Sequence, residues 1–378
     1  MSASVSKTYR IGIIGFGHMH VNDILEDFKG VAGVEIVAGA DTVPDVSETS
    51  AGMWTRAWNI KYARDHFNVP NIYEDYNRML DEEKLDLVVV NSENAKHAEV
   101  AEAAAAHGVN ILVEKPMAES LFSALRMYRA VKLAGVKLIV NWPSTWLPTI
   151  RKMKELVDAG TIGDVYQFKM RAGHTGPLST VRIGIDEEAI TDADRSRSWW
   201  HRAGTGGGAL LDYCSYGPCL SRWYLGQQAT EAFGMAANLG SPYAQVEDNA
   251  IIGVRYPAAL ALYEGSWTEH DPGVPTGPIL YGSEGTLVAH FKSSPMWTWV
   301  ELHRGHGAKV ERIEADPLPE GRSNIAEEVI HHLSTGEPLH PTLEPELNLD
   351  AMAILDAAIR SIRSGKVEPV NNSHWCIG

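Results

Sequence analysis

The constraint that most narrows the fold lies in residues 11–40. An apolar, β-branched run at 11–14 enters the turn Gly15-Phe16-Gly17-His18-Met19-His20, and Val21, Ile24, Leu25 and Phe28 then recur at i, i+3, i+4 and i+7 before a second β-rich run at 34–40. The recurrence draws one apolar stripe along a helix, and a strand, helix and strand in this order pair as a parallel unit with a right-handed crossover. Further runs at 85–90, 110–114 and 137–140 alternate with helical patterns. The chain up to about Trp142 is therefore expected to form a doubly wound parallel sheet covered by helices. Trp54 and Trp58, four residues apart in the longer connection 42–71, are expected on one helix face as core packing.

Beyond Trp142 the pattern changes. A helix over 147–159 is followed by runs at 165–171, 250–256, 260–267, 285–291 and 297–303, which read as strands of a largely antiparallel sheet. Helical patterns at 326–333 and 347–364 come near the end. At 378 residues the chain is too long for one ordinary core, and the change of pattern divides it into 1–142 and 143–378. The expected class is α/β: a doubly wound parallel sheet followed by an α+β domain with a large, mostly antiparallel sheet.

A formal net charge of -15 argues against nucleic acid, whose phosphates need a basic face. No run approaches the roughly 18 apolar residues of a membrane span, and residues 1–10 lack the apolar stretch of a secretory signal, so a cytoplasmic protein is expected. Cys214, Cys219 and Cys376 are too few and too irregular for a disulfide framework or a zinc site. The expected ligand is a small molecule.

The turn at Gly15, Phe16, Gly17, His18 and Met19 lies between a strand and a helix, where glycines permit a tight turn and a close backbone approach to a pyrophosphate at the helix N-terminus. His20 stands where that fingerprint usually has its third small residue. The second strand run ends at Asp41, placed to accept a ribose 2′-hydroxyl and to repel a 2′-phosphate, which predicts NAD over NADP. His18 and His20, two apart on a turn, are expected to point in different directions, and no metal is expected. Glu114 and Lys115 close an inner strand, where a lysine can project toward a nicotinamide.

Several motifs in one order now carry a resemblance. The strand at 11–14 with its Gly15-Phe16-Gly17 turn, Asn94-Ala95-Lys96-His97, Glu114-Lys115-Pro116, Gly160-Thr161-Ile162-Gly163, Gly206-Gly207-Gly208 leading to Asp212, and Gly282-Ser283-Glu284-Gly285 together resemble the glucose-fructose oxidoreductase / inositol dehydrogenase (Gfo/Idh/MocA) family over roughly residues 10–290. The resemblance implies a Rossmann domain binding NAD, an open-faced sheet domain that often mediates homo-oligomers, and a substrate cleft between them. It also implies that Asn94 and His97 lie near the cofactor. Family members carry an aspartate and, four residues on, a histidine on the catalytic helix. Here Asp212 is followed by Tyr216, as in the branches where tyrosine takes the acid/base position. Tyr216 is then the expected general acid/base, Lys115 its electrostatic partner and a substrate donor, and Asp212 an orienting group or alternative base.

The stretch 165–210 has six Lys/Arg (Lys169, Arg171, Arg182, Arg195, Arg197, Arg202) against five acids (Asp186, Glu187, Glu188, Asp192, Asp194), a local excess of one positive charge in an acidic chain. Arg171, His174, Arg195, Trp199, Trp200 and His201 are therefore candidate substrate residues, suited to an anionic sugar or glycoside. The alternative is a solvated loop of surface ion pairs. Two reactions satisfy the pattern: net sugar dehydrogenation, or a glycosidase that oxidises C3 transiently, eliminates the aglycone, adds water and returns the hydride, as on sulfoquinovosides. A non-enzymatic NAD sensor is a third reading, disfavoured because the acid/base set is retained.

Overall fold

The structure, a computed structural model, describes residues 7–179, 190–290 and 296–372. Cys376, Arg182, Asp186, Glu187, Glu188 and Phe291 lie outside them. Strands β1 (Tyr9–Ile14), β2 (Val34–Ala40), β3 (Ile72–Tyr73), β4 (Leu87–Val90), β5 (Asn110–Glu114) and β6 (Leu138–Asn141) form one parallel sheet in the order β3-β2-β1-β4-β5-β6. Strand order reverses between β1 and β4, which opens a crevice at their carboxyl ends. The inner strands are buried on both faces because helices cover both sides, and Ile11, Ile13, Val89 and Leu112 have no exposed surface.

Helix α1 (Val21–Lys29) buries the predicted stripe, with Val21, Ile24, Leu25 and Phe28 all at 2% exposure or less. The tryptophan expectation fails in part. Helix α2 (Arg56–Phe67) begins only after Thr55, whose hydroxyl caps the Trp58 N–H, so Trp54 precedes the helix with φ at 67°. Trp58 alone is helical, stacked on Tyr62 at 4.7 Å. Helices α3 (Tyr76–Glu82), α4 (His97–Ala106) and α5 (Leu121–Ala134) complete the layers.

Helix α6 (Pro148–Asp158) leads to β7 (Val165–Gly173), then the short α7 (Asp192–Arg197), a π-helical turn at Leu210–Cys214, and α8 (Tyr216–Leu225). Strands β8 (Glu231–Ala237), β9 (Asn249–Arg255), β10 (Leu260–Ser266), β11 (Ile279–Gly282), β12 (Thr286–Val288), β13 (Trp299–His303), β14 (Glu311–Glu314) and β15 (Glu368–Pro369) join β7 in a nine-stranded sheet ordered β14-β13-β12-β11-β7-β10-β9-β8-β15. Among these named strands of the described residues only the β7/β10 pairing is parallel. Strands β8, β11, β14 and β15 were not anticipated.

Helices α9 (Ile325–Thr335) and α10 (Pro345–Ser364) return toward the first sheet. Trp142 donates to Asn348 at 2.6 Å and the Tyr128 hydroxyl to Glu346 at 2.7 Å, so the long C-terminal helix clamps both sheets. α10 covers one face of β8, whereas Phe233, Met235, Ile251 and Leu260 on the strands β8, β9 and β10 stay exposed. Among the described residues no helix is long and apolar enough to cross a membrane.

Candidate active site

The end of β5, the turn after β1 and the π-helical turn before α8 converge on a cleft of about 230 Å³. The first sheet supplies His18, His20 and Lys115, and the second part of the chain supplies His174, Trp200, Asp212, Tyr213 and Tyr216. Lys115 follows the last residue of β5, so its side chain leaves the sheet toward the cleft. Its Nζ lies 2.8 Å from Asp212 Oδ1 and donates to the Asp212 carbonyl at 3.0 Å. The second Asp212 oxygen accepts from Trp267 Nε1 at 2.9 Å. A buried ion pair holds where its remaining hydrogen-bonding capacity is also met, and here both carboxylate oxygens are engaged. Burial pushes the Asp212 carboxyl up, but the Lys115 ammonium, with His174 and the Trp267 donor, more than reverses it and holds the group well below the usual carboxylate range.

Tyr216 opens α8, and Pro218 falls in its first turn, where a missing N–H breaks no helix bond. Lys115 Nζ stands over the Tyr216 ring, 4.9 Å from its centroid. Lys115 is thus engaged by the Asp212 carboxylate and the tyrosine face together. Burial, together with the Glu114 and Asp212 charges, pushes the Tyr216 phenol well above its ordinary value, so it stays a neutral donor.

His18 and His20 do not diverge as expected: their ring centroids are 4.3 Å apart. His20 Nδ1 lies 2.9 Å from Glu114 Oε1, and the His20 backbone N–H donates to His18 Nδ1 at 3.1 Å. Glu114 is fully buried and its other oxygen accepts from Asn141 at 2.8 Å. Ligand-type atoms of His18, His20 and Glu114 fall within 4.8 Å of one another, a spacing a cation can use; His18 Nδ1, His20 Nδ1 and Glu114 Oε1 are hydrogen-bonded, whereas His18 Nε2 is buried without a partner. Burial, then the neighbouring His20 and Lys115, pushes the His18 imidazole well below its ordinary value and keeps it neutral.

On the other side of the glycine turn, Asp41 Oδ1 accepts from the Phe16 N–H at 3.0 Å, the Thr42 N–H at 2.9 Å and Arg56 at 2.6 Å. Arg56 also pairs with Glu93 at 3.1 Å and lies 3.7 Å from Glu48. One guanidinium therefore serves three carboxylates, and burial raises Asp41 and Glu48 above their ordinary values despite it. Trp199 Nε1 donates to the Gly17 carbonyl at 2.8 Å, which pins the segment after α7 onto the turn.

Comparison with known proteins gives this geometry its frame. Residues 9–142 match the family described as "Oxidoreductase family, NAD-binding Rossmann fold", and residues 150–288 match the "GFO/IDH/MocA C-terminal domain". The chain belongs to the Gfo/Idh/MocA oxidoreductases. It is 24% identical to myo-inositol 2-dehydrogenase of Thermotoga maritima, over 96% of this chain and 99% of that protein. Its fold is shared by aldose-aldose oxidoreductase of Caulobacter crescentus in complex with glycerol, at TM-score 0.75 and 20% identity over 96% of this chain and 100% of that one. Levoglucosan dehydrogenase in complex with NADH and levoglucosan superposes at TM-score 0.74 and 18% identity, over 96% and 100% of the two chains.

The residues present fit the NAD of this family. Gly15 has φ at 92°, and a Cβ there would lie 2.3 Å from the Ser92 backbone nitrogen, so only glycine makes the turn. The turn runs directly into the N-terminus of α1, the position that favours a pyrophosphate. The Phe16 N–H holds Asp41 at the end of β2, within the crevice. Asn94 donates to the Gly206 carbonyl at 2.7 Å, and His97, with no exposed surface, sets its ring nitrogens against the Pro116 and Ser92 carbonyls at 3.2 and 3.3 Å. Both brace the loops around the site.

The candidate substrate residues separate. His174 and Trp200 line the cleft, while Arg171, Arg195, Trp199 and His201 do not. Arg171 pairs with Glu269 at 2.6 Å beside a different cavity, because alternate residues of β7 face opposite sides of the sheet. Arg195 pairs with Asp192 at 2.7 Å, His201 is buried against the Arg195 carbonyl, and Trp199 stacks beneath Trp200 at 4.0 Å. Each of these arginines is thus engaged by an acid of its own, Arg171 with the nearly buried Glu269 and Arg195, itself largely buried, with Asp192. His20, Tyr213 and Trp267 are site residues that the sequence left unmarked. Only His20, at the atypical third position of the glycine motif, carried any signal.

Proposed function

We propose that this NAD-dependent oxidoreductase transfers a hydride between the cofactor and the carbinol carbon of a small neutral sugar or cyclic polyol. The observation that carries the reading is the Lys115–Asp212 pair, set at the end of β5 on a cleft built from both halves of the chain. An ammonium has three donors, and Asp212 takes two, so the third is left for a substrate oxygen. The neutral Tyr216 phenol adds a donor rather than a base. When bound, NAD accepts or returns the hydride. The relatives named for inositol and levoglucosan support a polyhydroxylated ring, and the absence of Arg171 and Arg195 from the cleft favours a neutral one.

Asp41, Glu48 and Glu93 gather around Arg56 beside the glycine turn, which favours NAD over NADP. We place the two domains at 1–142 and 143–378. The exposed apolar face of β8, β9 and β10 supports assembly as a homo-oligomer, and the two described cysteines, buried and unpaired, suit the cytoplasm. A panel of neutral sugars, inositols, acidic sugars and aryl glycosides, followed by nicotinamide absorbance and aglycone release, tests the reading. Net NADH formation with a neutral ring substrate supports it. Aglycone release without net NADH would replace it with the redox-assisted glycosidase.

A further inference from the structure

We propose that His20, oriented by Glu114, is the catalytic residue that takes and returns the substrate hydroxyl proton. The inference rests on the hydride-transfer reading above and assigns the acid/base group that the Asp212/Tyr216 arrangement leaves open. Among the titratable groups around the cleft, hydrogen bonding sets each one's role. Lys115 is held as an ammonium by Asp212, and both oxygens of Asp212 are taken. His18 Nδ1 accepts the His20 backbone N–H, so the neutral His18 ring carries its hydrogen on Nε2, and His174 Nδ1 likewise is occupied by the Gly176 N–H at 2.7 Å.

His20 is the reverse. Its Nδ1 faces the Glu114 carboxylate, an acceptor, at 2.9 Å, so Nδ1 carries the hydrogen and Nε2 holds the lone pair. Burial pushes the Glu114 carboxyl up, but His20 first, then Lys115 and the Asn141 donor, more than reverse it and hold it below its ordinary value, and Asn141 aligns it. A buried carboxylate behind an imidazole is how a histidine base is held in one tautomer and its protonated form stabilised. The His20 side chain is 24% exposed and lines the cleft with Lys115, which gives the proton a way out to solvent. In the oxidation direction the carbinol C–H leaves with its electron pair to bound NAD. The O–H proton passes to His20 Nε2, and the carbon–oxygen bond becomes a carbonyl steadied by Lys115. The imidazolium then faces Glu114 until water removes the proton.

Two measurements test the assignment. In protein carrying 15N-histidine, the His20 signals, identified by their loss in His20→Gln, should report a protonated Nδ1 and an unprotonated Nε2 and should change in Glu114→Gln. The opposite tautomer overturns the inference whatever the substrate proves to be. With a substrate from the panel, His20→Ala should lose roughly 10² to 10⁴ in kcat, the range of general-base removal, retain NADH binding, and regain rate with added imidazole. Tyr216→Phe should lose less. A His20→Ala enzyme as fast as the parent sinks this assignment alone, while a parent enzyme that reduces NAD with no sugar sinks the hydride-transfer reading.

Discussion

Two buried charge clusters flank the glycine turn, and they are built differently. On the substrate side Lys115 meets one carboxylate, Asp212, whose oxygens are both filled and whose pKa is depressed. On the β2 side Arg56 meets Asp41, Glu48 and Glu93, and two of those carboxyls are raised. A balanced pair with one donor left over can act on a substrate. An acid-rich cluster around one spent guanidinium holds a loop in place and repels further negative charge.

The comparison breaks most visibly at the lysine. Lys115→Met should lower kcat by roughly 10³-fold, within the range for positioned proton-transfer and charge groups, while NADH fluorescence still reports binding. Comparable turnover would show that the pair is structural. Arg56→Met leaves three carboxylates together without a cation, and should cost about 3–5 kcal/mol of stability in urea unfolding, as breaking buried pairs does. A loss under about 1 kcal/mol would mean that the acids simply protonate.

Acidification should move the two clusters in opposite directions. Asp212 is depressed in the fold, so its stabilisation is complete above the unfolded value near pH ~4 and is lost as pH falls through the folded value. Asp41 and Glu48 are raised, so their contribution is present below their unfolded values and is lost as pH rises through the folded ones. Stability profiles of Asp212→Asn and Asp41→Asn should therefore flatten on opposite sides of about pH 4. Identical profiles would erase the distinction. The smallest effect is expected from Trp199→Phe, which removes one hydrogen bond to Gly17, costs about 1 kcal/mol, and speeds NADH association in stopped flow.

The parallel sheet was legible because its strands are buried on both faces and its glycine turn has a mechanical reason. The second sheet was only partly legible. β8, with Glu231, Gly234 and alanines, has a weak alternation of its own, and its pairing depends on α10, whose Ala358 carbonyl comes within 2.8 Å of where a Gly234 Cβ would lie. In the site, Lys115 and Asp212 could be read from their order along the chain. His20 could not be assigned, because its meaning lies in Glu114, 94 residues away, and a cationic stretch said nothing of which arginines would find their own acids.

The most direct test of hydride transfer at this cleft uses the panel substrate that reduces NAD, deuterated at the carbinol carbon. The account predicts that the nicotinamide recovered from the parent enzyme carries the deuterium, and that Lys115→Met, with NADH bound, transfers almost none. Reduced cofactor without the label, or equal labelling by the variant, would contradict it.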